Sequence, residues 1–130
     1  MIFVVDASVV VDLLLRSPNA GAIETAVLDV ASGLCAPDFL RLELLSVLRG
    51  SVLGKKITEM RALQALSTFQ KLPIAFYSAS LVIDRCWQLR NNLTPYDATY
   101  LALAERLSAT LATCDHAFAA IPSTARVQLF

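Results

Sequence analysis

Five short, mostly apolar runs are spaced along this chain: IFVV at 2–5, LCAP at 34–37, PIAFY at 73–77, ATLAT at 109–113 and RVQL at 126–129. IFVV has no polar face at all, so a strand formed from it must be covered on both sides. Helix-patterned sequence fills the intervals. Residues 8–15 and 21–32 predict helices separated by Ser17-Pro18-Asn19. Another is capped by Asp38, runs to about Leu53 and is ended by Gly54. Residues 58–71, capped by Thr58, 79–91, carrying Trp87, and 95–107 complete the set. Strands alternating with helices predict a parallel sheet with helices on both faces, an α/β/α sandwich. With no repeat or linker in the pattern, residues 1–130 are expected to form one domain.

In such sheets ligands bind beyond the carboxyl ends of the strands. Asp6 directly follows the first apolar run, and Asp115 stands just beyond the fourth. Two further acids interrupt apolar helices. Asp97 lies in Thr94-Pro95-Tyr96-Asp97, a capping box with proline at the first helical position. Glu43 lies well inside DFLRLELLSVLRG, beyond the reach of the helix start. At about 100° per residue, Leu40, Leu44, Val47 and Leu48 fall roughly 40–140° to one side of Glu43, and Arg41 roughly 160° away. Glu43 therefore borders the core stripe, beside the small Ser46 and Gly50. Each acid also has a purely structural reading: helix caps for Asp6, Asp97 and Asp115, a solvated edge for Glu43.

Together the four imply more than they do singly. If they converge, two unit charges 4 Å apart at an effective dielectric near 20 repel by about 4 kcal/mol. A divalent cation reverses that sign, and an oxygen-only set favours Mg²⁺ or Mn²⁺ over zinc. Cys35, Cys86 and Cys114 form no CxxC pair, which argues against both zinc and a disulfide framework and fits a reduced cytosol. The longest uncharged stretch, 72–83, contains Pro73 and is too short to cross a bilayer. Asp6 and Asp12 break the N-terminal apolar run, so a cleaved signal peptide is not expected. Eleven basic and eleven acidic residues cancel, so whole-chain charge gives no support for nucleic-acid binding.

These residues resemble the PIN-domain ribonucleases, specifically the VapC-type toxins of toxin–antitoxin pairs, over essentially the whole chain. VVDAS is similar to the family's first strand and D-x-S, which implies Asp6 as a metal ligand supported by the Ser8 hydroxyl. LELLSVL resembles the glutamate-bearing helix and implies Glu43. DATYLALA is the most specific match and implies Asp97. LATCD resembles the T-x-D strand end and implies Thr113 and Asp115. One departure is Ser46, where the family often has asparagine. The resemblance implies a cytoplasmic Mg²⁺- or Mn²⁺-dependent endoribonuclease in which metal-activated water attacks an RNA phosphodiester and leaves a 5′-phosphate. It also implies a homodimer and a VapB-type antitoxin, whose basic side chain, often arginine, enters the carboxylate cluster. With 56% hydrophobic residues, a domain this small is expected to keep apolar patches for such interfaces.

Other residues carry weaker expectations. His116 could contact phosphate or move a proton, or simply cap. Arg49, Lys55, Lys56 and Arg61 surround a helix–helix connection and could line an RNA path or a solvated turn. Cys114 beside His116 invites a cysteine-hydrolase reading, with no orienting group in sight. Trp87, Tyr96 and Tyr100 fit helical core spacing. Two rival functions remain. A phosphoacceptor receiver domain needs a second acid beside Asp6, an aspartate after the third strand and a late lysine. Val5 and Ala7, Tyr77-Ser78, and the absence of lysine after Lys71 stand in their places. A non-catalytic PIN-like scaffold differs from the nuclease only in metal binding and activity.

Overall fold

The computed structural model describes all of residues 1–130. Its strands are β1 (Ile2–Val5), β2 (Gly33–Pro37), β3 (Ile74–Tyr77), β4 (Thr110–Thr113) and β5 (Arg126–Leu129). Its α-helices are α1 (Ala7–Leu14), α2 (Ala20–Val27), α3 (Leu40–Leu53), α4 (Glu59–Lys71), α5 (Ile83–Gln88) and α6 (Pro95–Arg106), with 3₁₀ turns at Ala79–Leu81 and His116–Ala120. Every strand pairing is parallel, in the order β3-β2-β1-β4-β5. From β1 the chain first adds strands on one side, then crosses back to the other. The order therefore reverses between β1 and β4, which is where an open parallel sheet leaves a crevice. Val5 pairs with Ala112, so Asp6 and Thr113 emerge side by side at its mouth.

The central helix explains the firmness of this arrangement. In α6, Ala98 to Ala104 are buried without a break, so this stretch is covered on every side and lies across β1, β2 and β4. Helix α5 packs behind it, and the Arg85 guanidinium forks onto Glu105 at 2.8 and 3.1 Å. Helix α1 lies against β4, with α2, α3 and α4 gathered round it. The sheet is thus flanked by helices as the alternation predicts.

Several local expectations are corrected. Asp38 does not cap α3. Its backbone N–H is still bonded to Tyr77 at the sheet edge and its carboxylate takes Arg41 at 3.1 Å, so Phe39 occupies the cap position. Helix α2 stops at Val27 rather than residue 32, because Asp29 folds the chain into a turn that receives the Ser32 N–H. The expected helix over 79–91 splits at Val82, whose φ of −133° is not helical. Trp87 and Tyr96 are not core residues: they are 68% and 58% exposed, whereas Tyr100 is 1% exposed. Val47 is also exposed, leaving Leu40, Leu44 and Leu48 as the buried stripe of α3. No helix is long and apolar enough to cross a membrane.

Candidate active site

Asp6 ends β1 and caps α1. Its Oδ1 accepts the Val9 N–H at 3.1 Å and the Ser8 hydroxyl at 2.6 Å, and its Oδ2 accepts the Thr113 hydroxyl. The cap reading and the cluster reading are therefore both present in one side chain. Ser8 Oγ also accepts the Cys114 N–H, and Thr113 Oγ1 accepts the Asp115 N–H, each at 3.0 Å. Two hydroxyls thus stitch the end of β1 to the end of β4. D-x-S and T-x-D are two halves of one hydrogen-bonded unit, which fixes where Asp6 and Asp115 sit. Asp115 itself is exposed and caps the short turn after it through Ala117.

The helices deliver the other two acids. Asp97 occupies the first turn of α6, where Thr94 Oγ1 accepts its backbone N–H at 3.2 Å. The cap therefore uses the backbone of Asp97 and leaves its carboxylate half-buried. Glu43, also half-buried, lies in the first turn of α3 rather than well inside the helix as expected, because the helix starts only at Leu40; it accepts the Tyr100 hydroxyl at 2.7 Å. Sequence spacing placed Tyr100 in the core and missed this bond. The available signal was that a buried tyrosine hydroxyl needs a partner.

Electrostatics link the four acids. Burial pushes the Asp6 carboxyl up from its ordinary value against the hydrogen bonds that pull it down, and the charge of Asp97 adds to the rise. Burial likewise raises Glu43, with Tyr100 opposing and both Asp97 and Asp6 adding to it. Asp97 is raised by burial, opposed by Thr94 and pushed further by Asp115. The ion pairs of the molecule are Arg16–Glu24, Arg41–Asp38 and Arg85–Glu105, so none of these four carboxylates has a basic partner. No three acid, histidine or cysteine side chains enclose a common point at ligand spacing. This open arrangement is not the closed cage that an ion such as calcium takes. It fits a magnesium-like ion, which is held by one or two carboxylates and keeps several waters.

A raised folded-state value means that the folded protein holds protons more tightly than the unfolded chain. Stability is then greatest below the ordinary values of 3.8 for Asp6 and Asp97 and 4.5 for Glu43, and falls as pH rises through the raised ones. Glu105, lowered by Arg85 and Ser123 against its own burial, works the other way, but only below 4.5. In EDTA the melting temperature is therefore expected to rise as pH falls through the raised values toward 4.5. Added Mg²⁺ should flatten the trend; calorimetric scans across that range test it.

The remaining candidates stand apart. Ser46 is exposed on α3 and makes no side-chain hydrogen bond, so it does not replace an asparagine contact in this arrangement. Arg49 is exposed, and Lys55 and Lys56 line a hollow at the α3–α4 turn with Arg61, whose guanidinium is tied to the Leu14 carbonyl at 2.6 Å. No hydrogen bond or ion pair joins this basic group to the acids. His116 is exposed beside Asp115. Cys114 points its thiol at Asp12, 3.4 Å away, and burial with that carboxylate holds its pKa up at about 11. A thiol so disfavoured as thiolate is no nucleophile, and the cysteine-hydrolase reading falls.

The family model for the PIN domain matches residues 3–123. The chain belongs to the PIN-domain family. Among its relatives, Ribonuclease VapC1 of Mycobacterium tuberculosis is 42% identical over 120 residues, 92% of this chain and 90% of that protein. Ribonuclease VapC9 of the same organism is 34% identical over 112 residues, 86% and 84% of the two chains. Solved structures share the fold. The VapBC2 complex of Rickettsia felis, bound to a promoter DNA fragment, aligns with TM-score 0.73 at 15% identity over 98% of both chains. VapC20 of M. tuberculosis, a sarcin–ricin-loop-cleaving toxin, aligns with TM-score 0.63 at 13% identity over 85% of this chain and 87% of its own.

Proposed function

We propose that this PIN domain is a Mg²⁺- or Mn²⁺-dependent endoribonuclease of the VapC type, acting in the cytoplasm as the toxin of a toxin–antitoxin pair. The observation that carries the reading is the group of four acids, Asp6, Glu43, Asp97 and Asp115, at the sheet's switch point with no basic partner of their own. Three of them are held up by burial, and neighbouring acids add to each. Such a cluster repels an RNA phosphate until a cation neutralises it. The names of the M. tuberculosis relatives support the choice of RNA as substrate.

In this reading Asp6, Glu43, Asp97 and Asp115 would hold the cation between them, one or two by direct ligation and the others through its waters. When bound, it supplies charge neutralisation at the phosphate and lowers the pKa of water. The chain's own work is orientation. Ser8 and Thr113 fix both oxygens of Asp6, Tyr100 fixes Glu43, and the Thr94 cap fixes the backbone that carries Asp97. His116 stands next to Asp115, where it could meet a phosphate. Arg49, Lys55 and Lys56 would touch the RNA backbone only outside the acid group.

The surface supports partners. Leu42, Leu45 and Leu53 on α3 and Met60 and Leu63 on α4 are exposed, as are Leu81, Ile83 and Trp87. Apolar surface of this kind marks interfaces, which suits a homodimer and an apolar segment of a VapB-type antitoxin. An antitoxin arginine reaching the acids would supply the cation that the chain lacks. Induced alone in a bacterial host, the protein is expected to arrest growth and to generate new RNA 5′ ends. Co-expression of the antitoxin, or Asp97→Asn, should abolish both. Normal growth with an unchanged RNA-end profile would favour the non-catalytic scaffold.

A further inference from the structure

Glu43 is the least anchored of the four acids by its own element. It projects from the first turn of α3 on three rotatable bonds. The nearest basic residue in sequence, Arg41, is committed to Asp38. Its one side-chain partner is Tyr100, 57 positions away in sequence, whose hydroxyl donates to Oε1 at 2.7 Å. Oε2 receives no hydrogen bond from the protein.

Tyr100 is as fixed as Glu43 is free. It is 1% exposed and lies three residues beyond Asp97 on α6, so the helix that delivers one acid also delivers the tether of another. Its ring stands edge-on to Phe39, with centroids 5.5 Å apart, and Phe39 stands edge-on to Tyr96 at 5.1 Å. This aromatic stack braces the start of α3 against the start of α6. Packing alone would be met by phenylalanine. Burying a hydroxyl is unfavourable unless it is bonded, and the bond made here is to the carboxylate.

Resting on the nuclease reading above, we propose that Tyr100 is a positioning residue of the metal centre. Its hydroxyl holds the Glu43 carboxylate toward Asp97 and Asp6 and leaves Oε2 open to the cation. A hydrogen-bond partner that orients a ligand typically contributes 10–100-fold to metal affinity. Tyr100→Phe keeps the ring, the stack and the charge of Glu43, and removes only the tether.

The test measures Mn²⁺ binding to the RNA-free protein by titration calorimetry, the melting temperature in EDTA, and kcat and KM on an oligoribonucleotide. For Tyr100→Phe the expected results are a Kd for Mn²⁺ weaker by about 10-fold, a similar fall in kcat, and an unchanged KM. Glu43→Asp, which withdraws the carboxylate from the hydroxyl by one methylene, should lose Mn²⁺ affinity to a like degree. In a Glu43→Gln background Tyr100→Phe should cost nothing further, since the two act as one unit. Wild-type Mn²⁺ affinity in Tyr100→Phe, or losses that multiply in the double variant, would overturn the positioning role and leave the nuclease reading intact. A wild-type protein that binds no Mn²⁺ and cuts equally well in EDTA would overturn both.

Discussion

Asp97→Asn is expected to reduce RNA cleavage by on the order of 100-fold or more while the protein stays folded. The two halves of that expectation come from different atoms. The N-terminus of α6 is capped through the Asp97 backbone N–H, bonded to Thr94 Oγ1, and begun by Pro95; the carboxylate adds only its side-chain contact with Thr94, which an amide oxygen can keep. Losing the acid forfeits its interaction with the helix dipole, worth about 0.3–1 kcal/mol. It also relieves the burial and the repulsion from Asp115 that push this carboxyl up. These effects oppose each other, so the melting temperature in EDTA should stay within a few degrees of wild type. A variant that melts much earlier while its folded fraction cuts normally would make Asp97 a structural residue only.

Thr113→Val is expected to damage stability and activity together. Thr113 is 0% exposed, and its hydroxyl both donates to Asp6 Oδ2 and accepts the Asp115 N–H. Valine matches the shape and removes both bonds. Leaving a buried acceptor and a neighbouring N–H unsatisfied costs about 1–3 kcal/mol for each group, so the total should reach about 2–6 kcal/mol. For a domain of this size that lowers the melting temperature by roughly 10 °C. Cleavage should fall at least about 10-fold even well below the melting point, because both strand-end acids lose their alignment. Thr110→Val is the control: it is buried in the same strand, but its hydroxyl makes no hydrogen bond to the protein, and the change should be nearly neutral. Equal effects of the two substitutions would show that the Thr113 hydroxyl has no special standing.

The sequence carried the layered architecture because buried strands and amphipathic helices have different periods, and each acid interrupts one of them. IFVV and ATLAT end at the same edge of the sheet, so Asp6 and Asp115 were readable as a pair before any coordinates. What brings them side by side was not readable: β4 enters beside β1 rather than beside β3, and strand order is a property of the whole packing. The Glu43–Tyr100 bond is a second case. Helical spacing puts the Tyr100 ring in the core correctly, yet no local pattern states which residue meets its hydroxyl. Trp87 and Tyr96 fail for the complementary reason, since spacing names a helix face without saying whether another element covers it. Asp38 shows the limit at element ends, where a sheet hydrogen bond and an arginine outcompeted the cap.

The acid group should work only with a divalent cation, and cleavage of one labelled oligoribonucleotide by the purified chain tests this without intermediaries. No cleavage is expected in EDTA, with full recovery when Mg²⁺ or Mn²⁺ is restored in excess and no recovery for Asp97→Asn under the same conditions. Cleavage that persists undiminished in EDTA, or that Asp97→Asn retains in full, would contradict that requirement.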